Sequence, residues 1–498
     1  MIAFEQRFDK VRELVSTLEE FVVEGGRSQA RADKVERDVF GQLLELGREL
    51  MQVYFDQAGD GDQGQTIQRS DKTLKRQGTK ERNYHSIFGV IEVTRSVYAV
   101  RAKKKSFAPL DEQLSLPEVA HSYVLQDWLT RLCVKNSFDD SVKTIGDLLG
   151  VKVSKRTVER LNEDLGSHVV PFRDSLPTEF ADDEEILVVS ADGKGVPIRS
   201  TIEQRNGLPD TAWQRHHRKK QEEKAEGRAT KRLSRGQVKS RKQMAYVGAV
   251  FSISPQIRTG SDILDEALTK NTVDRPRPMN KRVQATMTNY LEGERINGQE
   301  VLFCDLAKQV SQRDPESNKP LICLMDGQRS LWDQQRKHLP KATPIIDIFH
   351  VSERLWEAAY CFHKESSAEA EKMVCHYFQL LLQGKVETVI RSFAAKKNSL
   401  SQQKKKVLLS VIKYYTNNKL YMKYDQYLSK GYPIGSGAIE GACRHLVKDR
   451  MERTGMRWEI EGAQAMLNTR SASINNEWDR LIEYRIKKKT KANYGQAA

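Results

Sequence analysis

Cysteine is scarce and scattered in this chain. Six occur in 498 residues (Cys133, Cys304, Cys323, Cys361, Cys375, Cys443), and no CxxC pair is among them. Neither a zinc knuckle nor a disulfide framework is indicated, and buried free thiols are expected. Long apolar runs are also missing. No stretch approaches the ~18 residues that span a bilayer. The opening MIAFEQRFDKVRELV mixes charges with apolar residues at helical spacing and lacks the continuous apolar core of a signal peptide. A soluble intracellular protein is the expectation.

Basic charge is plentiful. Lys and Arg number 82 against 67 Asp and Glu, a net charge of +15. Such an excess points to a polyanionic partner, nucleic acid or an anionic membrane surface. The length allows roughly three domains at ~150 residues each.

Residues 1–56 read as one or two amphipathic helices, with Phe4, Val11, Leu14, Val15, Leu18, Phe21 and Val22 in one stripe. Such stripes are core or helix-pairing surfaces. Residues 57–70 read as a loop. Tyr84 to Val100 alternates and predicts a hairpin. The run Arg101-Ala102-Lys103-Lys104-Lys105 is either a solvated turn or a phosphate contact.

Asp139 to Gly166 predicts two helices around a glycine stop. Val142, Ile145, Leu148 and Leu149 form the first apolar face, Gly150 ends it, and Ser154 can cap a second helix. That second helix carries Val158 and Leu161 inward and Lys155, Arg156 and Arg160 outward. This is a helix-turn-helix pattern with a basic start suited to a major groove, although the same pattern occurs in proteins that never meet DNA.

Ile186 to Val189 is a wholly apolar strand leading to Asp192-Gly-Lys-Gly, and Pro320 to Met325 is a second, leading to Asp326-Gly327. Apolar strands without alternation are buried on both faces, and acids just past them stand where α/β active sites gather. An Asp-Gly reverse turn is the plainer alternative for Asp192. Met244 to Ile253 is expected to pair with the Asp192 strand. Residues 203–243 are strongly basic and read as an exposed insertion that orders on nucleic acid. Residues 281–296 look helical. Thr343 to Phe349 reads as a strand containing Asp347 and followed by His350. Two such ligands without a third are weak grounds for zinc, and a structural hydrogen bond is the preferred role. Residues 353–430 read as helical, with lysines and tyrosines that suit phosphate contact and base stacking or ordinary helix packing.

Tyr432 to Trp458 sets a loop of small residues before a helix with Glu440 in its first turn. Ile439, Cys443, Leu446, Val447 and Met451 mark an apolar face, and Glu440 is expected on it, three, seven and eleven residues before Cys443, Val447 and Met451. An acid there needs a cation, a metal or hydrogen bonds. Alternatively it favours the helix dipole and pairs with Arg444. If Asp192, Asp326 and Glu440 converge, two divalent cations, Mg²⁺ or Mn²⁺, are the expected neutralisers, with phosphate oxygens as further ligands.

The segments VVSADGKGVPI, LICLMDGQRSLW, IIDIFHVSERLW and YPIGSGAIEGACRHLVKDRMERTGMRW, in that order, resemble the DDE transposases of bacterial insertion sequences. More narrowly they resemble the Mutator-like branch and its Kra-type insertion-sequence group, over roughly residues 75–485. The resemblance implies an α/β fold, with a ribonuclease H-like catalytic core broken by a helical insertion and preceded by a mostly helical DNA-binding region with the helix-turn-helix. The implied division is an N-terminal helical region (1–70), a DNA-binding region (71–180), the first part of the core (181–352), the helical insertion (353–430), and the C-terminal part of the core with its basic tail (431–498).

By motif, the catalytic and metal-holding acids fall on Asp192, Asp326 and Glu440, and Asp347 and His350 match an Asp-Phe-His-like motif. Lys194, Arg444, Lys448, Arg450 and Arg457 are candidate phosphate contacts, although Arg450 and Arg457 are equally placed for helix salt bridges. Relatives often carry paired cysteines near the positions of Tyr98 to Leu110, and this chain does not, so no zinc is expected there. The implied activity is cleavage at terminal inverted repeats and strand transfer to target DNA, by a homodimer or higher assembly, in the bacterial cytoplasm at the nucleoid. A catalytically silent DNA-binding regulator and a ribonuclease H-like nuclease without strand joining are the rival expectations.

Overall fold

The computed structural model describes residues 2–69, 72–100, 106–176, 183–199, 221–222, 242–269, 275–291, 294–435, 437–453 and 455–495, without the side chains of 2–7, 266–269 and 290–291. The expected basic insertion 203–243 and the Arg101–Lys105 run lie almost wholly or wholly outside the described residues. The chain is mixed α/β and forms two compact units, Met1–Phe172 with Glu477–Ala498, and Arg173–Asn476.

The first unit begins with two long helices, α1 (Ile2–Arg27) and α2 (Ala32–Ala58). A three-stranded antiparallel sheet follows, β1 (Thr66–Arg69), β2 (Lys72–Ser86) and β3 (Gly89–Ala99). The expected hairpin is present and longer than its alternation indicated. Ile91 and Val93 point from β3 into a core with Phe55, Leu110 and Leu116. Helices α3 (Pro109–Gln113), α4 (Tyr123–Lys135), α5 (Phe138–Leu149) and α6 (Lys155–Asp174) complete this part. Gly150 ends α5 in the left-handed region at φ 67°, and the Ser154 hydroxyl accepts from the Thr157 N–H at 3.1 Å to open α6. Val158, Leu161, Leu165 and Val169 form its buried face.

The second unit is organised on five strands: β4 (Ile186–Pro197), β5 (Lys242–Ile253), β6 (Met279–Met287), β9 (Leu321–Met325) and β10 (Thr343–Ile346). Between them lie α7 (Gly260–Thr269), the short strands β7 (Asn289–Leu291) and β8 (Glu294–Ile296), α8 (Gly298–Arg313) and α9 (Arg329–His338). The sheet order is β10-β9-β4-β5-β6. β4, β9 and β10 run parallel, and β5 pairs antiparallel with both β4 and β6. The expected β4–β5 pairing is present, with Asp192 opposite Val247. Residues 281–296, expected to be helical, form β6 and the β7–β8 hairpin instead. Val283, Ala285 and Met287 are buried at every second position, the period of a strand.

Five helices follow β10: α10 (Ile348–Phe362), α11 (Ala368–Leu382), α12 (Val386–Lys396), α13 (Gln402–Asn418) and α14 (Tyr424–Ser429). Tyrosines lock them to the sheet side: Tyr415 donates to the Val351 carbonyl at 3.0 Å and Tyr424 to that of Ile346 at 2.9 Å. These two are packing residues, fully buried. The chain then enters α15 (Gly437–Ala442), a wide π turn (Cys443–Lys448), the single turn α16 (Asp449–Met451) and α17 (Ile460–Ile474). Two amides of α17 cover the edge strand. Gln464 exchanges hydrogen bonds with Met287 and Ala285, and Asn475 with Val283.

The last helix, α18 (Trp478–Tyr494), belongs to the first unit and not with the core expected over 431–498. Its side chains give the reason. Arg485 donates to Asp164 at 2.7 Å and to Gln126 at 2.6 Å, and the Trp478 ring N–H donates to Asp127 at 2.6 Å. No described helix is long and apolar enough to cross a membrane.

Candidate metal centre

The site begins with register. β9 pairs with β4 up to Met325 beside Ala191, and with β10 up to Ile346 beside Met325. The next residue in each strand is an acid: Asp192, Asp326, Asp347. Three neighbouring parallel strands therefore deliver three carboxylates in one row at their carboxyl ends.

Each is held differently. β4 does not turn at Asp192 but runs on to Pro197, paired only with β5. The Asp-Gly reverse turn is thus ruled out. Asp192 accepts from the Gly193 N–H at 2.6 Å, and the Cys443 thiol donates to its other oxygen at 3.2 Å. After Asp326 the chain turns sharply at Gly327, φ 98°. The Gln328 N–H donates to the Asp326 carboxylate at 2.9 Å, and the Tyr414 hydroxyl to its carbonyl at 3.0 Å. Asp347 does not sit inside β10 as expected but caps α10. It is fully buried, accepts from the Phe349 N–H at 3.0 Å, and meets His350 Nδ1 at 2.9 Å. The preferred hydrogen-bonding role is therefore present.

Glu440 arrives on α15. The Ile348 N–H donates to the Ile434 carbonyl at 2.9 Å, which ties the preceding loop to the start of α10. Gly435 lies so close to Phe349 that a Cβ there would stand 2.8 Å from the ring, so the small residue permits the approach. Lys281 Nζ holds the Ala438 carbonyl at 2.5 Å. Ile439, Ala442 and Cys443 are the buried face of this turn, whereas Glu440 is exposed. The expectation that Glu440 faces the core is corrected by geometry. It stands ~100° round the helix from Ile439. Beyond it the π turn winds less per residue, so Val447 and Met451 no longer share its face. The wide turn leaves carbonyls to satisfy, and the buried Arg470 donates to those of His445 and Leu446, the latter at 2.7 Å. Arg444 lies 3.8 Å from Asp449 and is highly exposed.

Glu440 meets Asp347 and His350. One ligand atom from each lies within 4.8 Å of the others, and this trio can hold a metal ion. His350 uses Nδ1 on Asp347, which fixes the ring and leaves Nε2 for a ligand. The third ligand missing from the sequence reading is thus Glu440, ninety residues away. The signal available was the third repetition of an acid after an apolar strand.

The electrostatics describe a place short of positive charge. Burial raises the pKa of Asp326 above the ordinary carboxyl range. Its Gln328 hydrogen bond opposes this, Asp192 and Asp347 add to it, and His350 relieves it. Loss of water, then Asp347, raises Glu440, again with relief from His350. The Asp347 hydrogen bond raises His350 to about 9. Acids whose charge is disfavoured in this way, beside an oriented imidazole, fit a divalent cation. A donor set with an imidazole suits Mn²⁺ or another transition ion as well as Mg²⁺.

The basic candidates divide. Lys194 is half-buried on β4, and Arg444, Lys448 and Arg457 are exposed. Arg450 is withdrawn from the phosphate contacts. It is fully buried, its guanidinium 4.9 Å from the Trp458 ring centre and 3.1 Å from the Met456 sulfur. In the first unit, Lys155, Arg156 and Arg160 are exposed on the first turns of α6, with Lys155 paired to Asp139 at 2.8 Å. No family model matches the chain, and no curated protein matches it.

Proposed function

We propose that the chain is a metal-dependent DDE transposase that binds the terminal inverted repeats of an insertion sequence, cleaves DNA there and transfers the freed strand. The observation that carries this reading is the row of Asp192, Asp326 and Asp347 at one sheet edge, with Glu440 and His350 beside it. The strand order supports a ribonuclease H-like core: three consecutive strands run antiparallel, and two more lie parallel to the first on its other side.

Asp192, Asp326 and Glu440 are the proposed ligands, with Asp347 and His350 adjoining. When bound, two Mg²⁺ or Mn²⁺ ions supply charge neutralisation at an in-line phosphoryl displacement. The chain's own residues do the rest. Cys443 and Gly193 fix the Asp192 carboxylate, Gln328 and Tyr414 fix the Asp326 turn, and Asp347 fixes the His350 ring. Lys194, Arg444, Lys448 and Arg457 offer cations to the phosphodiester backbone. Separately, the α5–α6 pair with Lys155, Arg156 and Arg160 suits major-groove contact as a helix-turn-helix. Exposed Val22, Phe40, Leu43, Leu50 and Tyr54 on α1 and α2 offer a surface for assembly into a homodimer.

The test is strand nicking and joining on DNA that contains the element's ends, in Mg²⁺ or Mn²⁺. Wild type is expected to nick and join, and Asp192→Asn and Glu440→Gln to lose at least ~100-fold in rate. Binding without nicking would make the chain a regulator, and nicking without joined products a nuclease.

A further inference from the structure

The second unit encloses a cavity of about 500 Å³ that the acids do not use. Its size falls in the ~300–1,000 Å³ range of pockets that bury a compact organic ligand. Phe251, Phe349, Trp356 and Phe378 line it, and Arg258 and Arg275 bring two guanidinium groups to the same wall. It shares its walls with the metal centre. Phe349 stands between Asp347 and His350 in sequence, and the lining residues Gly437 and Ala438 precede Glu440 in the same turn.

We propose that this cavity receives one unstacked nucleobase of the DNA strand held at the metal centre. The proposal rests on the DNA-processing reading and adds to it a site for the base. Flat aromatic faces stack on any base, and guanidinium groups stack on bases or pair with phosphate, so the wall chemistry fits a nucleotide better than an aliphatic chain. A base inside a duplex cannot enter a concave pocket, so it must leave the stack. Phe349 gives the coupling a route. It packs on Gly435, in the loop leading to Glu440, and its own N–H donates to Asp347. A base seated on this ring would therefore touch the residue that joins both halves of the trio.

The full chain is titrated with a ~30-base-pair duplex carrying a 2-aminopurine in a short mismatched bubble, where a base unstacks at least cost, and with the fully paired duplex. Anisotropy of an end label reads binding, and 2-aminopurine emission reads the base. The bubble is expected to bind wild type about tenfold tighter than the paired duplex, with a saturable emission change. Trp356→Ala should lose both differences while binding the paired duplex like wild type. Trp356→Phe should keep them. The exposed Arg275→Ala, which carries little risk to folding, should weaken the bubble preference several-fold. Equal emission changes in wild type and Trp356→Ala, with DNA still bound, would overturn the pocket and leave the DNA reading intact. No binding of either duplex by a folded wild type would overturn that reading first, and the pocket with it.

Discussion

Asp326 and Asp347 end neighbouring strands of one sheet and are treated in opposite ways. Asp347 is fully buried, yet both its oxygens meet donors, the Phe349 N–H and His350. Asp326 is less buried, but one backbone N–H is its printed carboxylate partner, and it faces Asp192 and Asp347 across the strand ends. Burial alone therefore does not decide what a carboxylate costs here. The number and sign of its partners do. Asp347 is built into the fold with its compensation, while Asp326 and Glu440 are left wanting a cation.

Breaking the compensated side gives the largest effect. His350→Gln should weaken Mn²⁺ binding by ~10–100-fold in titration calorimetry, as loss of an oriented imidazole does elsewhere. Unchanged affinity would place the ion on Asp192 and Asp326 alone. Next comes the uncompensated side. Asp326→Asn should raise the metal-free melting temperature by a few degrees, because it removes an ionised group that the fold disfavours, at the expense of activity. The same variant should gain less than wild type when Mn²⁺ is added. A fall in melting temperature would mean that the Asp326 charge is already satisfied without a cation.

A smaller effect follows from pH. The folded pKa of His350 is raised from 6.5 to about 9. Its charged pairing with Asp347 thus contributes stability that is fully present below pH 6.5 and is lost as pH rises through about 9. The difference in melting temperature between metal-free wild type and His350→Gln should shrink across that window. The smallest effect concerns the rim. Arg457→Ala should weaken DNA binding only several-fold, uniformly across sequences, and lower the salt slope by ~1. Arg450→Met, by contrast, should leave the salt slope unchanged.

The strands were legible because ILVVSA and PLICLM are apolar without alternation, and their trailing acids could be read at once. Residues 281–296 misled because Val283, Ala285 and Met287 are interleaved with Arg282, Gln284 and Thr286, and helix formers precede the next glycine. The outward aim of Glu440 was not legible. Its spacing to Val447 and Met451 assumes uniform winding, which the π turn breaks. Arg450 looked like a surface cation because its burial depends on Trp458 folding back over it. The meeting of His350 with Glu440 depends on a five-helix excursion whose return point no local pattern encodes.

The π turn over Cys443–Lys448 has a consequence for how this chain tolerates changes in length. Such a turn is an α-helix carrying one surplus residue. Deleting a single residue there would restore ordinary winding and swing all that follows by ~100°. Arg450 would leave the Trp458 ring, and the carbonyls that Arg470 serves would be recaptured by the helix. Glu440, upstream, would stay in place. Substitutions on the outer side, at Arg444 or Lys448, leave the winding alone. The six residues thus act as a vernier between a catalytic end and an anchoring end, open to exchange of side chains and closed to insertion or loss.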